Sequence, residues 1–158
     1  MMTTEEPWSD EDAPTWPQAP HPKRVLVAED DAAMRDLLLL VLRERGYAVD
    51  WVSSGSQMMR VLSERHPDGS LAEPFDLIVT DVRMPGASGL DAIDQLRRDG
   101  GVTPVIAVTA FPHDATRNRA QRLDIQLLAK PFDLDALRGA VEAALDSPLA
   151  SPPEEPQP

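Results

Sequence analysis

The sequence predicts an α/β fold with a parallel sheet, on three observations. Short, continuous apolar runs alternate with longer segments of helical periodicity. The runs are apolar throughout rather than at every second residue, which suits strands buried on both faces. Turn-forming Gly and Pro separate the segments, so the order strand, helix, strand recurs along the chain.

Val25-Leu26-Val27-Ala28 is the first such run. Ala32 to Arg45 follows, with Met34, Leu37, Leu38, Val41 and Leu42 spaced as one inward helical face. Asp31 is placed to cap its start, and Gly46 to end it. Tyr47 to Val52 reads as a strand, Ser54 to Arg65 as a helix, and His66 to Pro74 as a loop broken by Pro67, Gly69 and Pro74. Phe75 to Thr80 is the third strand. Ser88 to Arg98 is a helix with Leu90, Ile93 and Leu96 inward. Pro104 to Val108 is the fourth strand, and Pro112 to Arg122 a helix that is nearly all polar. Ile125 to Ala129 is the fifth strand. Asp133 to Leu145 is the last helix, with Leu134, Leu137, Val141 and Leu145 inward.

Composition sets the domain boundaries. Residues 1–22 and 147–158 hold five prolines each of the total 16, and neither segment contains Lys or Arg. Such acidic, Pro-rich tails bury too little apolar surface to offset chain entropy, so both are expected to be disordered. The folded unit is residues 23–146. It carries all 15 basic residues and 20 of the 27 acidic ones, a net of −5 within the total of −12. That balance argues against a general nucleic-acid binder and against a polybasic membrane anchor. There is no cysteine, so disulfide and thiolate chemistry are excluded. The N-terminus lacks a basic and apolar leader pattern. The longest apolar run, Leu37 to Leu42, is far too short to cross a bilayer. A cytoplasmic protein without membrane insertion is the expectation.

Open parallel sheets bind ligands outside the carboxyl ends of their strands. The first strand ends in Glu29-Asp30-Asp31, the third in Asp81, the fourth in Thr109-Ala110 and the fifth in Lys130-Pro131-Phe132. Carboxylates crowded in one cleft repel unless a cation joins them. A hard divalent ion such as Mg²⁺ suits oxygen ligands of this kind. A carboxylate nucleophile beside a metal, an ammonium and a hydroxyl is suited to accept a phosphoryl group.

Taken together, Val25 to Asp31, Asp81-Val82-Arg83-Met84-Pro85-Gly86, Val108-Thr109-Ala110 and Lys130-Pro131-Phe132 resemble the response-regulator receiver family of two-component signalling. The likeness covers residues 24 to about 145 in order and spacing. It implies a doubly wound, flavodoxin-like sheet of strand order 2-1-3-4-5 with helices on both faces. Asp81 would be the phosphoacceptor. Asp30, Asp81 and the backbone carbonyl of Arg83 would hold Mg²⁺, with Glu29 completing the acidic pair. Thr109 would bond the phosphoryl group and carry the switch, and Lys130 would bridge to its oxygens. Lys130–Pro131 would be cis. The donor would be a histidine kinase or phosphotransfer protein, and the phosphorylated face would regulate a downstream protein target. The chain would catalyse only its own phosphorylation and dephosphorylation. The 12 residues after residue 146 are too few to form an output domain, so a stand-alone receiver is the expectation.

Three positions depart from the commonest family pattern. Glu29 stands where Asp is more frequent. Ser88 precedes Gly89 where Asp is usual, and can still cap a helix. Leu127 stands where the family has Tyr or Phe, a ring that swings with the Thr on phosphorylation. The switch is therefore expected to run through Thr109 and the loop after it, with Phe111 as the moving ring. Arg83 lies where the family tunes phosphorylation kinetics; the plainer alternative is a solvated loop Arg.

Other residues receive plainer readings. Asp31 is a cap rather than a ligand. Arg117, Arg119 and Arg122 are a solvated helix face. Met58, Met59 and Trp51 are packing residues. His21, His66 and His113 are loop residues without ligand spacing. Trp8 and Trp16 are candidate docking anchors in the first tail. The rival functions are a degenerate receiver used as a scaffold, a haloacid-dehalogenase-like phosphatase and a flavodoxin. The phosphatase expects an Asp-x-Asp pair after its first strand. The flavodoxin expects a hydroxyl- and glycine-rich loop there, where this chain has three acids.

Overall fold

A computed structural model describes residues 21–146. The two tails up to residue 20 and from residue 147, with Trp8 and Trp16, lie outside the described residues. The elements alternate as β1 (Arg24–Ala28), α1 (Ala32–Glu44), β2 (Ala48–Val52), α2 (Gly55–Leu62), β3 (Leu77–Asp81), α3 (Gly89–Arg98), β4 (Val105–Thr109), α4 (Asp114–Arg122), β5 (Ile125–Ala129) and α5 (Leu134–Asp146). All strand pairs are parallel, in the order β2-β1-β3-β4-β5. The fold class and strand order expected from the sequence are the ones found.

Side-chain alternation along each strand divides the core into two layers. Val25, Val27, Leu77, Val79 and Ile106 face α1 and α5. Leu26, Ala28, Ile78 and Ala107 face α2, α3 and the single buried residue of α4, Ala120. β3 and β4 are buried at every residue. Their continuous apolarity therefore has the cause inferred from the sequence: a helix layer on each face.

Helix ends follow their local signals. Asp31 Oδ2 accepts from the Met34 N–H, and Gly46 leaves α1 at φ +86°. Ser88 and Asp91 form a reciprocal capping box at the start of α3. The inward face of α1 differs from the expected one. Leu37 is 36% exposed, while Leu39, at 7%, is buried. Six consecutive apolar residues offer more than one stripe, and only the sheet beneath selects among them. α2 ends at Leu62, short of Arg65, because the chain turns there into an antiparallel bridge between Arg65 and Leu71.

One carboxylate organises the approach to β4. Glu73 Oε1 accepts from the Val102 N–H at 2.6 Å, the Thr103 N–H at 3.0 Å and the Thr103 hydroxyl at 2.9 Å. The opposite end of the sheet depends on Gly89. A methyl there would collide with the Asp81 carbonyl oxygen and lie 2.6 Å from Thr80 Oγ1. The start of α3 thus sits directly against the backbone of Asp81. Gly89→Ala is expected to destabilise the domain by about 1–3 kcal/mol, the usual result of forcing bulk into a packed site. A urea midpoint unchanged from wild type would show that this contact can relax freely.

Candidate active site

Strand register brings the functional side chains together. Ala28 pairs with Thr80, Asp81 with Val108, and Thr109 with Ala129. The residues at or just beyond these ends, Glu29, Asp30, Asp81, Thr109 and Lys130, therefore meet at one edge of the sheet. Carboxylate oxygens of Glu29, Asp30 and Asp81 all lie within 4.8 Å of one another. Glu29 is 1% exposed and Asp81 8%, while Asp30 is open to solvent.

Lys130 is the ammonium of this cluster. Its Nζ donates to Asp81 Oδ2 at 3.0 Å and lies 3.5 Å from Glu29 Oε2. The Lys130–Pro131 peptide is cis, as expected. The Lys130 N–H donates to the Thr109 carbonyl at 2.7 Å, which ties the ends of β4 and β5. Burial opposes charge on Lys130, but hydrogen bonds and attraction from Asp81 and then Glu29 hold its pKa above the ordinary lysine value.

Glu29 carries the electrostatic strain. Burial, then the neighbouring Asp81, push its pKa up to about 7, against the pull of Lys130 and a hydrogen bond from the Asp31 N–H. The cleft thus holds more negative charge than one ammonium offsets. A hard cation with oxygen ligands fits such a donor set, so Glu29, Asp30 and Asp81 are a cluster that could hold a metal ion.

The remaining residues are placed as follows. The Arg83 N–H donates to Asp81 Oδ1 at 3.1 Å, so the loop folds back on the Asp81 carboxylate. Among the described residues the Arg83 guanidinium forms no ion pair with a carboxylate; it lies 5.4 Å from the centre of the Phe111 ring. Thr109 is 3% exposed, and its hydroxyl accepts from the Phe111 N–H at 3.2 Å. Leu127 is half-buried on the side of α2, α3 and α4, packed against the core.

Several partnerships are not legible in the sequence. The Thr80 hydroxyl donates to the Asp81 carbonyl at 2.9 Å. Trp51, expected to pack, is 47% exposed and lies under Arg35, whose Cζ is 4.0 Å from the ring centre. Arg119, expected on a solvated face, bridges α4 to α3 through Asp91 Oδ1 at 2.7 Å and Asp94 Oδ2 at 3.4 Å. The two arginine partnerships join residues far apart in the chain through long side chains, and no local pattern announces such pairs.

Glu29 yields a pH prediction for the metal-free protein. Its pKa rises from 4.5 to about 7 on folding. Between those values the folded state binds more protons, so stability falls as pH rises through that window. Without divalent ions, Glu29→Gln is expected to raise stability at pH 8 by on the order of 2 kcal/mol, with the gain vanishing below about pH 4.5. Thermal melts in a chelator across that range check this; equal curves for the two proteins would contradict it.

The sequence matches the family described as the response regulator receiver domain over residues 25–142. It is 34% identical over 144 residues to the alkaline phosphatase synthesis transcriptional regulatory protein SphR of Synechococcus elongatus, covering 89% of this chain and 55% of that protein. It is 38% identical over 123 residues to the response regulator protein PmrA of Pseudomonas aeruginosa, covering 76% of this chain and 51% of that one. The chain thus spans about half the length of these curated relatives. Among solved structures it resembles the receiver domain of the sensor histidine kinase PA1611 of Pseudomonas aeruginosa, which has a magnesium ion coordinated in its active-site cleft. That likeness has a TM-score of 0.67 at 26% identity and covers 80% of this chain and 99% of that one. A CheY-like receiver from Methanospirillum hungatei shares the fold with a TM-score of 0.69 at 20% identity, covering 79% and 94%. The chain belongs to the response regulator receiver domain family.

Proposed function

We propose that this chain is the phosphoacceptor of a two-component or phosphorelay system, with Asp81 as the accepting residue. The observation that carries this reading is the Lys130 ammonium 3.0 Å from Asp81 Oδ2 inside a cluster of three carboxylates. An Asp81 oxygen attacks the phosphorus of a donor phosphohistidine. The new O–P bond forms as the P–N bond breaks, and the electron pair leaves on the imidazole nitrogen. The product is an aspartyl acyl phosphate.

Each nearby residue has a part. Lys130 moves from the carboxylate to the phosphoryl oxygens, where an ammonium stabilises developing charge. The Thr109 hydroxyl, now accepting from Phe111, has its own proton free to donate to a phosphoryl oxygen. Glu29, Asp30 and Asp81, with the Arg83 carbonyl, would hold Mg²⁺, whose contribution there is to offset carboxylate repulsion and phosphoryl charge. The relative with magnesium in its cleft supports that assignment.

A histidine kinase or phosphotransfer protein is the donor on this reading, and a second protein senses the phosphorylated face. The site lies in the cytoplasm, where such donors act. Among the described residues no helix is long and apolar enough to cross a membrane. Leu127 already packs into the core and has no ring to swing, so the response runs through Thr109 and the Ala110-Phe111-Pro112 loop.

Two outcomes test this reading. With Mg²⁺ and acetyl phosphate, intact mass measurement should show one added phosphoryl group on wild type and none on Asp81→Asn. Equal labelling of both proteins would remove Asp81 from the role. Thr109→Ala should abolish the response of the α4 surface to beryllofluoride, and Leu127→Ala should reduce it only modestly. The reverse pattern in amide chemical shifts would place the coupling on Leu127 instead.

A further inference from the structure

We infer that Arg83 and Phe111 form a latch that holds the start of α4 at rest and that a phosphoryl group on Asp81 releases. The inference rests on the reading of Asp81 as phosphoacceptor.

Arg83 is attached at two points. Its N–H donates to Asp81 Oδ1 at 3.1 Å, while its guanidinium lies 5.4 Å from the Phe111 ring centre. Among the described residues no carboxylate pairs with that guanidinium, although three carboxylates gather at the same mouth. The ring continues the chain of contacts. Phe111 is 57% exposed, so no core packing fixes it. It stacks on His113 at 6.3 Å between ring centres and an interplanar angle of 12°. His113 is the N-cap of α4 and makes no side-chain cap bond. α4 has one buried residue, Ala120. At its N-terminal end the Phe111–His113 stack, the His113 N–H bond to the Phe111 carbonyl and the Arg117 Nε bond to the Pro112 carbonyl tie the loop to the helix, and Arg119 holds its far half to α3.

Phosphorylation changes the better partner of Arg83. A phosphoryl group replaces the single negative charge of the Asp81 carboxylate with close to two on its own oxygens, two residues from Arg83. A guanidinium binds phosphate oxygens through charged, planar hydrogen bonds, which outweigh an exposed ring contact. Arg83 then leaves the ring for the cleft. The same event acts on Phe111 from the other side. The Thr109 hydroxyl that turns to the phosphoryl group keeps its lone pair on the Phe111 N–H, so Phe111 follows Thr109 inward. Loss of the cation frees the ring while the hydroxyl draws its backbone, and His113 carries the movement into α4. This gives the chain a moving aromatic ring despite leucine at position 127.

The latch contributes to the resting state only, so its removal shifts the population toward the released state. Amide positions of His113 to Arg117 and the affinity for beryllofluoride, with Mg²⁺ present, report the two states. In Phe111→Leu the resting amide positions should move part-way toward the bound ones, and beryllofluoride should bind about two- to fivefold tighter, the worth of an exposed cation–π contact. Phe111→Tyr keeps the ring face and should behave as wild type. Arg83→Ala should shift the resting amides in the same direction with the ring still present, which separates a population shift from a lost ring current. It should gain no affinity, because the guanidinium that would meet the anion is gone. Wild-type resting positions and affinity in Phe111→Leu would overturn the latch. Beryllofluoride binding to wild type without any change at His113 to Arg117 would overturn it too. Failure of wild type to bind beryllofluoride at all would overturn the phosphoacceptor reading beneath it.

Discussion

Repulsion among carboxylates at the end of the sheet is the constraint around which the rest is arranged. Glu29 and Asp81 are both buried and share one ammonium, Lys130, that sits 3.0 Å from one and 3.5 Å from the other. Burial makes their charge costly, which is why Glu29 is pushed up to about 7. A site in this condition stabilises whatever brings positive charge to it. The same cleft also sets the Asp81 carboxylate beside the Lys130 ammonium and the buried Thr109 hydroxyl.

Holding charges this close requires a stiff frame, and the central strands supply it. β3 and β4 are buried along their whole length, between two helix layers. Gly89 lets α3 begin against the Asp81 carbonyl, and the Thr80 hydroxyl bonds that same carbonyl. The Asp81 carbonyl is therefore held by two contacts, from α3 and from Thr80. The part of the site that can respond lies elsewhere. α4 buries one residue and lacks a side-chain cap, and the loop before it carries an exposed ring. Low burial beside a rigid site is the physical requirement for a segment that changes place at small energetic cost.

Local pattern was enough for the strands, helices and their caps. Continuous apolar runs need two covering layers, so the α/β class was legible, and Asp31, Ser88 and Gly46 marked helix ends by their own chemistry. The site was legible for a related reason. Each of Glu29, Asp30, Asp81, Thr109 and Lys130 follows or ends a strand, and parallel strands present their carboxyl ends on one edge. Their order and spacing then carried the likeness to the receiver family.

What the sequence by itself determined is the set of elements and the chemistry standing at their ends, because strand and helix periodicity and capping act over a few residues. What only the tertiary structure decided is which side chains become partners across elements. The six apolar residues Leu37 to Leu42 do not say that Leu39 is buried and Leu37 is not; the sheet beneath α1 does. Arg119 looks like a solvated residue until α3 stands beside it with Asp91 and Asp94. Arg83 likewise bonds Asp81 through its N–H while its guanidinium lies against the Phe111 ring, and that pairing follows from the position of the loop after β4. Long, flexible, charged side chains reach partners set by three-dimensional packing, and sequence spacing holds no record of that distance.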